Sequence, residues 1–267
     1  MMEVTEINIY PIKSTRRITL RESTVLKRGL TWDRRWMLVD DEGVFITARQ
    51  HPGLAVVATQ ISAEILVANA PGMPELAVPL TPPANPSREV RIWRDGCTAV
   101  DYGKPYDQWF SQYLGLSCHL VRMRSSDVRP VNPDYGSAGD EVSFADGFPL
   151  LLISEASLAD LNGRLDKPVS MRRFRPNVVV AGCDPYAEDN WRRIRIGTVM
   201  FEAVKACSRC VFTTIDPDTG EKDPKLEPLR TLSTYRKRPG GGVFFGQNLI
   251  PRDAGTIHVE DPVEILA

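Results

Sequence analysis

The sequence predicts an α+β fold dominated by sheet, with a few peripheral helices, on three observations. Short β-branched and aromatic runs recur between Gly, Pro and Asp turn signals. Helical periodicity is confined to three stretches, and no segment approaches the ~18 apolar residues of a membrane span. In chain order the strand-like runs are "EINIY", "RWMLVD", "VFITA", "AVVATQISAEILVANA", "REVRIW", "NVVVAG", "RRIRIGTVMFEAVKA", "GVFFGQNLI" and "TIHVEDPVEIL". The first helix is read in "KPYDQWFSQYLG", where Tyr106, Trp109, Phe110, Tyr113 and Leu114 recur at helical spacing. The second is "SEASLADLNGRL", with Leu158, Leu161 and Leu165 on one face behind a Ser154 cap, and the third spans "EPLRTLSTYRK".

The segment "RMRSSDVRPVNPDYGSAGDE" over residues 122–141 is rich in Pro, Ser, Asp and Gly and reads as a linker or long surface loop. It divides the 267 residues into near halves, 1–122 and 123–267. The Pro-rich "VPLTPPANPSREV" reads as a loop between strands. With 33 Lys+Arg against 34 Asp+Glu, no charge excess points to nucleic acid or a membrane surface, and the N-terminus has no leader pattern. A soluble cytoplasmic protein is expected. Five cysteines is an odd count, and Cys97, Cys118 and Cys183 stand alone, which argues for reduced thiols over an extracellular disulfide framework.

Cys207 and Cys210 form a C-x-x-C in "KACSRCVFTTIDPDTG". A redox pair would open a helix, but "VFTTI" after Cys210 is strand-like and "DPDTG" is a turn. A structural zinc would need two further ligands, and His51, His119 and His258 are scattered singly. Both sulfurs could also be small strand residues with no chemistry. Arg209 between them favours a thiolate, the form that acts as nucleophile or soft-metal ligand. On a regular strand an offset of three turns the two sulfurs to opposite faces, so only one would face a site.

Taken together, "IYPIKS", "TWDRRW", "TARQ", "FADGFPLLLISEASLADLN", "RFRPNVVVAGCDPYAEDNW", "ACSRCVFTTIDPDTG" and "FGQNLI…GTIHVEDPV" resemble, in order and over nearly the whole chain, the MOSC-domain family that includes the mitochondrial amidoxime-reducing component and its bacterial counterparts. The resemblance implies an N-terminal MOSC-N β-barrel-like domain, 1–122, followed by a MOSC β-barrel domain, 123–267. It implies a molybdenum cofactor of the molybdopterin type, with one cysteine thiolate completing the metal's ligands; by position in "CSRC" that ligand is Cys210, and Cys207 is structural. Lys13, Ser14, Arg34 and Arg175 fall at family positions that hold the cofactor. Asp146, with Gly147 and Phe148, falls where a loop approaches the metal, and its carboxylate would orient a metal-bound water or the substrate's N-hydroxyl group. Asn177, Ser208 and Arg209 are further contacts. One departure is Arg17 in "KSTRR", where the family favours Gly, so the loop carrying Lys13 is expected to run differently.

The activity implied is two-electron reduction of hydroxylamines, N-hydroxypurines or amidoximes. No C-x₄-C-x₂-C run is present, so no Fe–S cluster is expected in this chain, and electrons would come from a separate ferredoxin, flavoreductase or cytochrome-b5-like protein. The alternative implied by other MOSC proteins is a sulfur carrier or cofactor-maturation module using a Cys210 persulfide. Pyridoxal phosphate belongs to that reading only through partner desulfurases and is not expected to bind.

Overall fold

The structure is a computed structural model that describes residues 1–267. Its largest sheet has eight strands in the order Val263–Ile265, Arg193–Ile196, Val199–Arg209, Val243–Pro251, Leu150–Ser154, Val178–Ala181, Glu3–Ile9 and Ile18–Leu20. Only Leu150–Ser154 and Val178–Ala181 run parallel, and the helix α2, Glu155–Asn162, lies in the connection between them. A parallel pair needs such a crossover because a tight turn can join only antiparallel neighbours. The α2 helix starts where Ser154 Oγ accepts from the Ser157 backbone N–H at 3.1 Å, as its sequence predicts.

The first strand enters this sheet from far away in sequence: Ile7 pairs with Val178 and Glu3 with Ala181. Strand pairing therefore crosses residue 122. Val4, Ile7 and Ile9 are buried with Val178, Val180, Phe201 and Leu249 in one core. A second core, around Trp36, Leu38, Leu54, Phe110 and Leu120, packs the helix α1, Lys104–Leu114, against the sheet Trp36–Val39, His119–Arg122, Asp95–Asp101 and Ser87–Ile92. Gly115 ends α1 in the left-handed conformation (φ 69°), returning its N–H to Ser111 O. Two three-stranded sheets complete the fold, and the helix α3 is Leu229–Tyr235. No helix is long and apolar enough to cross a membrane.

Two strand expectations fail for local reasons. "VFITA" forms only isolated bridges at Val44 and Phe45, because Asp40 Oδ1 accepts the Val44 N–H at 2.7 Å and holds a turn. "VFTTI" is a short 3-10 turn, Val211–Thr214, in which Thr213 and Thr214 hydroxyls donate to the carbonyls of Cys210 and Val211. These hydroxyl bonds three residues back compete with a ladder and win over β propensity. The 122–141 segment is irregular but not merely a surface linker: Arg129 and Val131 within it are buried.

Candidate active site

Seven short segments meet at one cavity, and both halves of the chain supply walls. Three of its residues hold a left-handed backbone without being glycine: Ser14 (φ 75°), Arg34 (φ 48°) and Arg175 (φ 58°). Each costs about 1–3 kcal/mol that the surroundings must offset. The offsets are visible: Lys13 N–H donates to Trp36 O at 2.8 Å and Arg34 N–H to Tyr10 O at 2.9 Å. The Arg34 guanidinium donates to Asp33 at 2.6 Å and to Asn177 Oδ1 at 2.9 Å, tying two segments 143 residues apart. Arg175 donates to Thr15 O at 2.7 Å, and the Tyr10 ring stacks against both guanidiniums, at 4.2 Å from Arg34 and 4.0 Å from Arg175.

The strand Val199–Arg209 delivers the sulfurs. Its pairing with Val243–Pro251 slips between Ala206 and Ser208, a bulge centred on Cys207. Cys210 already lies beyond the strand's end. The alternation rule therefore fails here, and both Cys207 and Cys210 border the cavity. Arg209 does not attend Cys210 as its place in the sequence suggests. It donates to Cys207 Sγ at 3.0 Å and to Phe174 O at 2.6 Å, and its Nε is buried with no partner.

The guanidinium at Cys210 is Arg49. Its Nε donates to Cys210 Sγ at 3.2 Å, while Nη2 donates to Asp146 Oδ2 at 2.5 Å. Asp146 Oδ1 takes a second cation, Lys13 Nζ, also at 2.5 Å, and Lys13 in turn donates to Phe144 O at 2.7 Å. Burial alone would raise the Asp146 carboxyl, but the Lys13 and Arg49 charges outweigh it and hold it well below the usual carboxylate range. Burial pushes Lys13 down to about 8, against the pull of Asp146. Asp146 keeps half its side-chain surface open because it faces the cavity, whereas Lys13 is 7% exposed. The result is a hydrogen-bonded row, Cys210–Arg49–Asp146–Lys13.

Behind this row stands Arg129, fully buried, donating to the carbonyls of Ser143, Ala145 and Asp146 and to the Asp95 carboxylate. It fixes the loop that carries Asp146. Every residue that the sequence nominates borders the cavity: Lys13, Ser14, Arg34, Asp146, Gly147, Phe148, Arg175, Asn177, Ser208, Arg209 and Cys210. Asn177 is there in a supporting role, because its amide is occupied by Arg34, the Leu151 N–H and Asn8 O. Arg17 points elsewhere, to Glu6 at 2.5 Å. Arg49 is the residue the sequence reasoning left without a role although it sits inside the word "TARQ"; Arg129 has no sequence signal at all. Five cations on the wall, Lys13, Arg34, Arg49, Arg175 and Arg209, face only Asp146 and, behind Arg34, Asp33. Such a surplus suits an anion with many acceptor oxygens.

The cavity is thus cysteine-bearing, walled by cations and built jointly by two β-rich segments. The family model for the MOSC N-terminal beta barrel domain matches residues 1–117, and that for the MOSC domain matches residues 139–264. Mitochondrial amidoxime-reducing component 1 of Mus musculus is 39% identical over 280 residues, covering 98% of this chain and 82% of that protein. Its Homo sapiens counterpart is 37% identical over 279 residues with the same coverage of each. Mitochondrial amidoxime reducing component 2 of Rattus norvegicus is 37% identical, covering 97% of this chain and 82% of that protein. The chain belongs to the MOSC-domain family that includes these amidoxime-reducing components.

Proposed function

We propose that this protein is an oxidoreductase that reduces N-oxygenated compounds (hydroxylamines, N-hydroxypurines, amidoximes) using a molybdenum cofactor of the molybdopterin type, with electrons from a separate redox protein. The observation that carries the reading is the Arg49 fork, bonded at once to Cys210 Sγ and Asp146 inside a cavity with surplus cationic charge. The relatives' names supply the reaction type.

The residues present fit such a cofactor. A thiol suits a soft metal, the cation surplus suits a phosphate, and the partnerless Arg209 Nε is a donor without an acceptor. Cys210 would be the metal ligand, with Lys13, Ser14, Arg34, Arg175, Ser208 and Arg209 along the phosphate and pterin edges and Asn177 acting through Arg34. When bound, the cofactor supplies two-electron redox chemistry.

The chain's own groups then orient the reactants. Asp146, ionised throughout the ordinary pH range, accepts a hydrogen bond from the substrate's N–O–H and cannot act as an acid. Lys13, held near 8, is the wall group able to keep or release a proton close to neutrality. Gly147 leaves open space where a side chain would intrude, and Phe148 borders both the cavity and an adjoining recess lined by Trp93, Tyr135 and Lys205. That recess is the route for a flat substrate. The alternative of a persulfide carrier calls for an exposed, mobile cysteine, whereas Cys210 is half-buried and pinned by Arg49.

The test is elemental analysis of protein made in a cofactor-competent host. Stoichiometric molybdenum is expected in wild type and Cys207→Ala and none in Cys210→Ala, together with turnover of an N-hydroxylated panel using an artificial reductant. Metal retained by Cys210→Ala, or loaded enzyme inert on the whole panel, refutes the proposal.

A further inference from the structure

A second cationic recess lies apart from the cavity and shares no residue with it. It has a volume of about 440 Å³ and is lined by Lys27, Arg28, Arg35, Arg122, Trp32 and Glu141, among others. Glu141 is already divided between Lys27 at 2.9 Å and Arg28 at 2.7 Å, and the rest of Arg28 reaches the carbonyls of Arg124 and Ser125. Neither of the other two cations has a carboxylate within ion-pair distance, although Asp33 and Glu141 lie close enough to Arg35 to act on its charge. Arg35 has no side-chain hydrogen bond or ion pair, and the nearby Asp33 is occupied by Arg34 and the Tyr10 N–H. Burial, with Arg28 and Arg122 adding like charge, brings Arg35 down to about 10. Arg122 lies beside the Tyr102 hydroxyl and over the Trp32 and Trp36 rings, at 5.5 and 5.0 Å, with its Nε buried and partnerless.

Two neighbouring guanidiniums left uncompensated in a recess cost stability unless an anion joins them. Their planar forks match tetrahedral oxyanions, and a charge of two matches a phosphate dianion better than a single carboxylate. The apolar side chains on the rim, Leu26 at 40% and Val128 at 56% exposure, leave room beside the anion for an organic body. We propose that this recess binds the phosphate of a phosphomonoester, with Arg35 and Arg122 donating to its oxygens. The monoester is either a soluble phosphorylated metabolite or the headgroup of phosphatidic acid.

Phenyl phosphate is titrated by calorimetry into wild type, Arg35→Met and Arg175→Met at constant ionic strength, beside co-sedimentation with phosphatidylcholine vesicles with and without phosphatidic acid. Arg35→Met is expected to bind about tenfold more weakly, ~1.4 kcal/mol, and Arg175→Met, altered outside this recess, to keep this site. Binding confined to phosphatidic acid vesicles and lost in Arg35→Met supports the proposal with lipid as the source. Equal affinity in Arg35→Met and wild type overturns it, as does loss of all binding in Arg175→Met or failure of both probes. In chloride alone, Arg35→Met should melt at or above wild type because an unpaired cation has been removed; a lower melting temperature means that Arg35 is structurally paired, and also overturns the proposal.

Discussion

Arg49→Lys isolates what the fork contributes. Arg49 uses two different nitrogens, Nε at 3.2 Å from Cys210 Sγ and Nη2 at 2.5 Å from Asp146. Lysine keeps the charge, but its single ammonium nitrogen replaces two nitrogens held apart in a rigid plane, so it cannot reproduce the fork that spans Cys210 and Asp146. A buried charge-assisted hydrogen bond contributes about 1.5–3 kcal/mol. Asp146 is half exposed while Arg49 is 19% exposed, so the lower end, about 1.5 kcal/mol, is appropriate. If that bond orients the reacting groups, turnover per bound molybdenum falls about tenfold in Arg49→Lys. Arg49→Met removes both bonds and the charge, about 3 kcal/mol and about a hundredfold. Folding stability should fall by about 1–3 kcal/mol in Arg49→Met, because Asp146 and Cys210 favour the buried Arg49 charge and lose its bonds, and by less in Arg49→Lys, which keeps the charge. The assay is reduction of an N-hydroxylated substrate by an artificial reductant, normalised to metal content, alongside thermal melts. Arg49→Lys turning over within twofold of wild type would show that the fork is incidental.

Other consequences are as concrete. Lys13 sits near 8, lowered from 10.5, so its ammonium is present below that pH and turnover should decline as pH climbs through about 8; Lys13→Arg should remove that limb from the pH–rate profile. The same shift makes the unfolded chain bind more protons than the folded one between about 8 and 10.5, so this residue's contribution to stability rises with pH across that window, measurable by denaturant titration. Arg129→Met leaves three carbonyls of the Asp146 loop without their donor and should lower stability by about 3–5 kcal/mol in urea melts, with activity falling too. Under the proposed division into 1–122 and 123–267, a 1–122 fragment should fail to give dispersed amide resonances alone, because Glu3–Ile9 has lost its partner Val178–Ala181; a well-dispersed spectrum would count against shared construction.

The helices and most strands were legible because their signals are local: Ser154 capping α2 and the apolar stripe of α1 need nothing beyond a dozen residues. The lining of the cavity was legible as words: "PIKS", "DRRW", "FADGF", "RFRPN" and "CSRC" each carry residues that border it. Local regularity also misled. The bulge at Cys207 and the hydroxyl back-bonds of Thr213 and Thr214 reset a geometry that alternation alone assigns wrongly. Arg49 pairs with Cys210 161 residues on, and Arg129 acts through backbone carbonyls, which any side-chain sequence can supply. Neither relation leaves a periodic trace.

The antiparallel union of Glu3–Ile9 with Val178–Ala181 also sets a timetable for synthesis. Roughly 170 residues must leave the ribosome before the opening segment meets its neighbour, which at about 5–20 residues per second means on the order of 10–30 s of waiting. Through that interval the nascent chain holds Lys13 and Arg34 with no Arg175 or Cys210 to join them. The pocket can therefore come into being only after Cys210 has been synthesised, and any prosthetic group must be inserted after that.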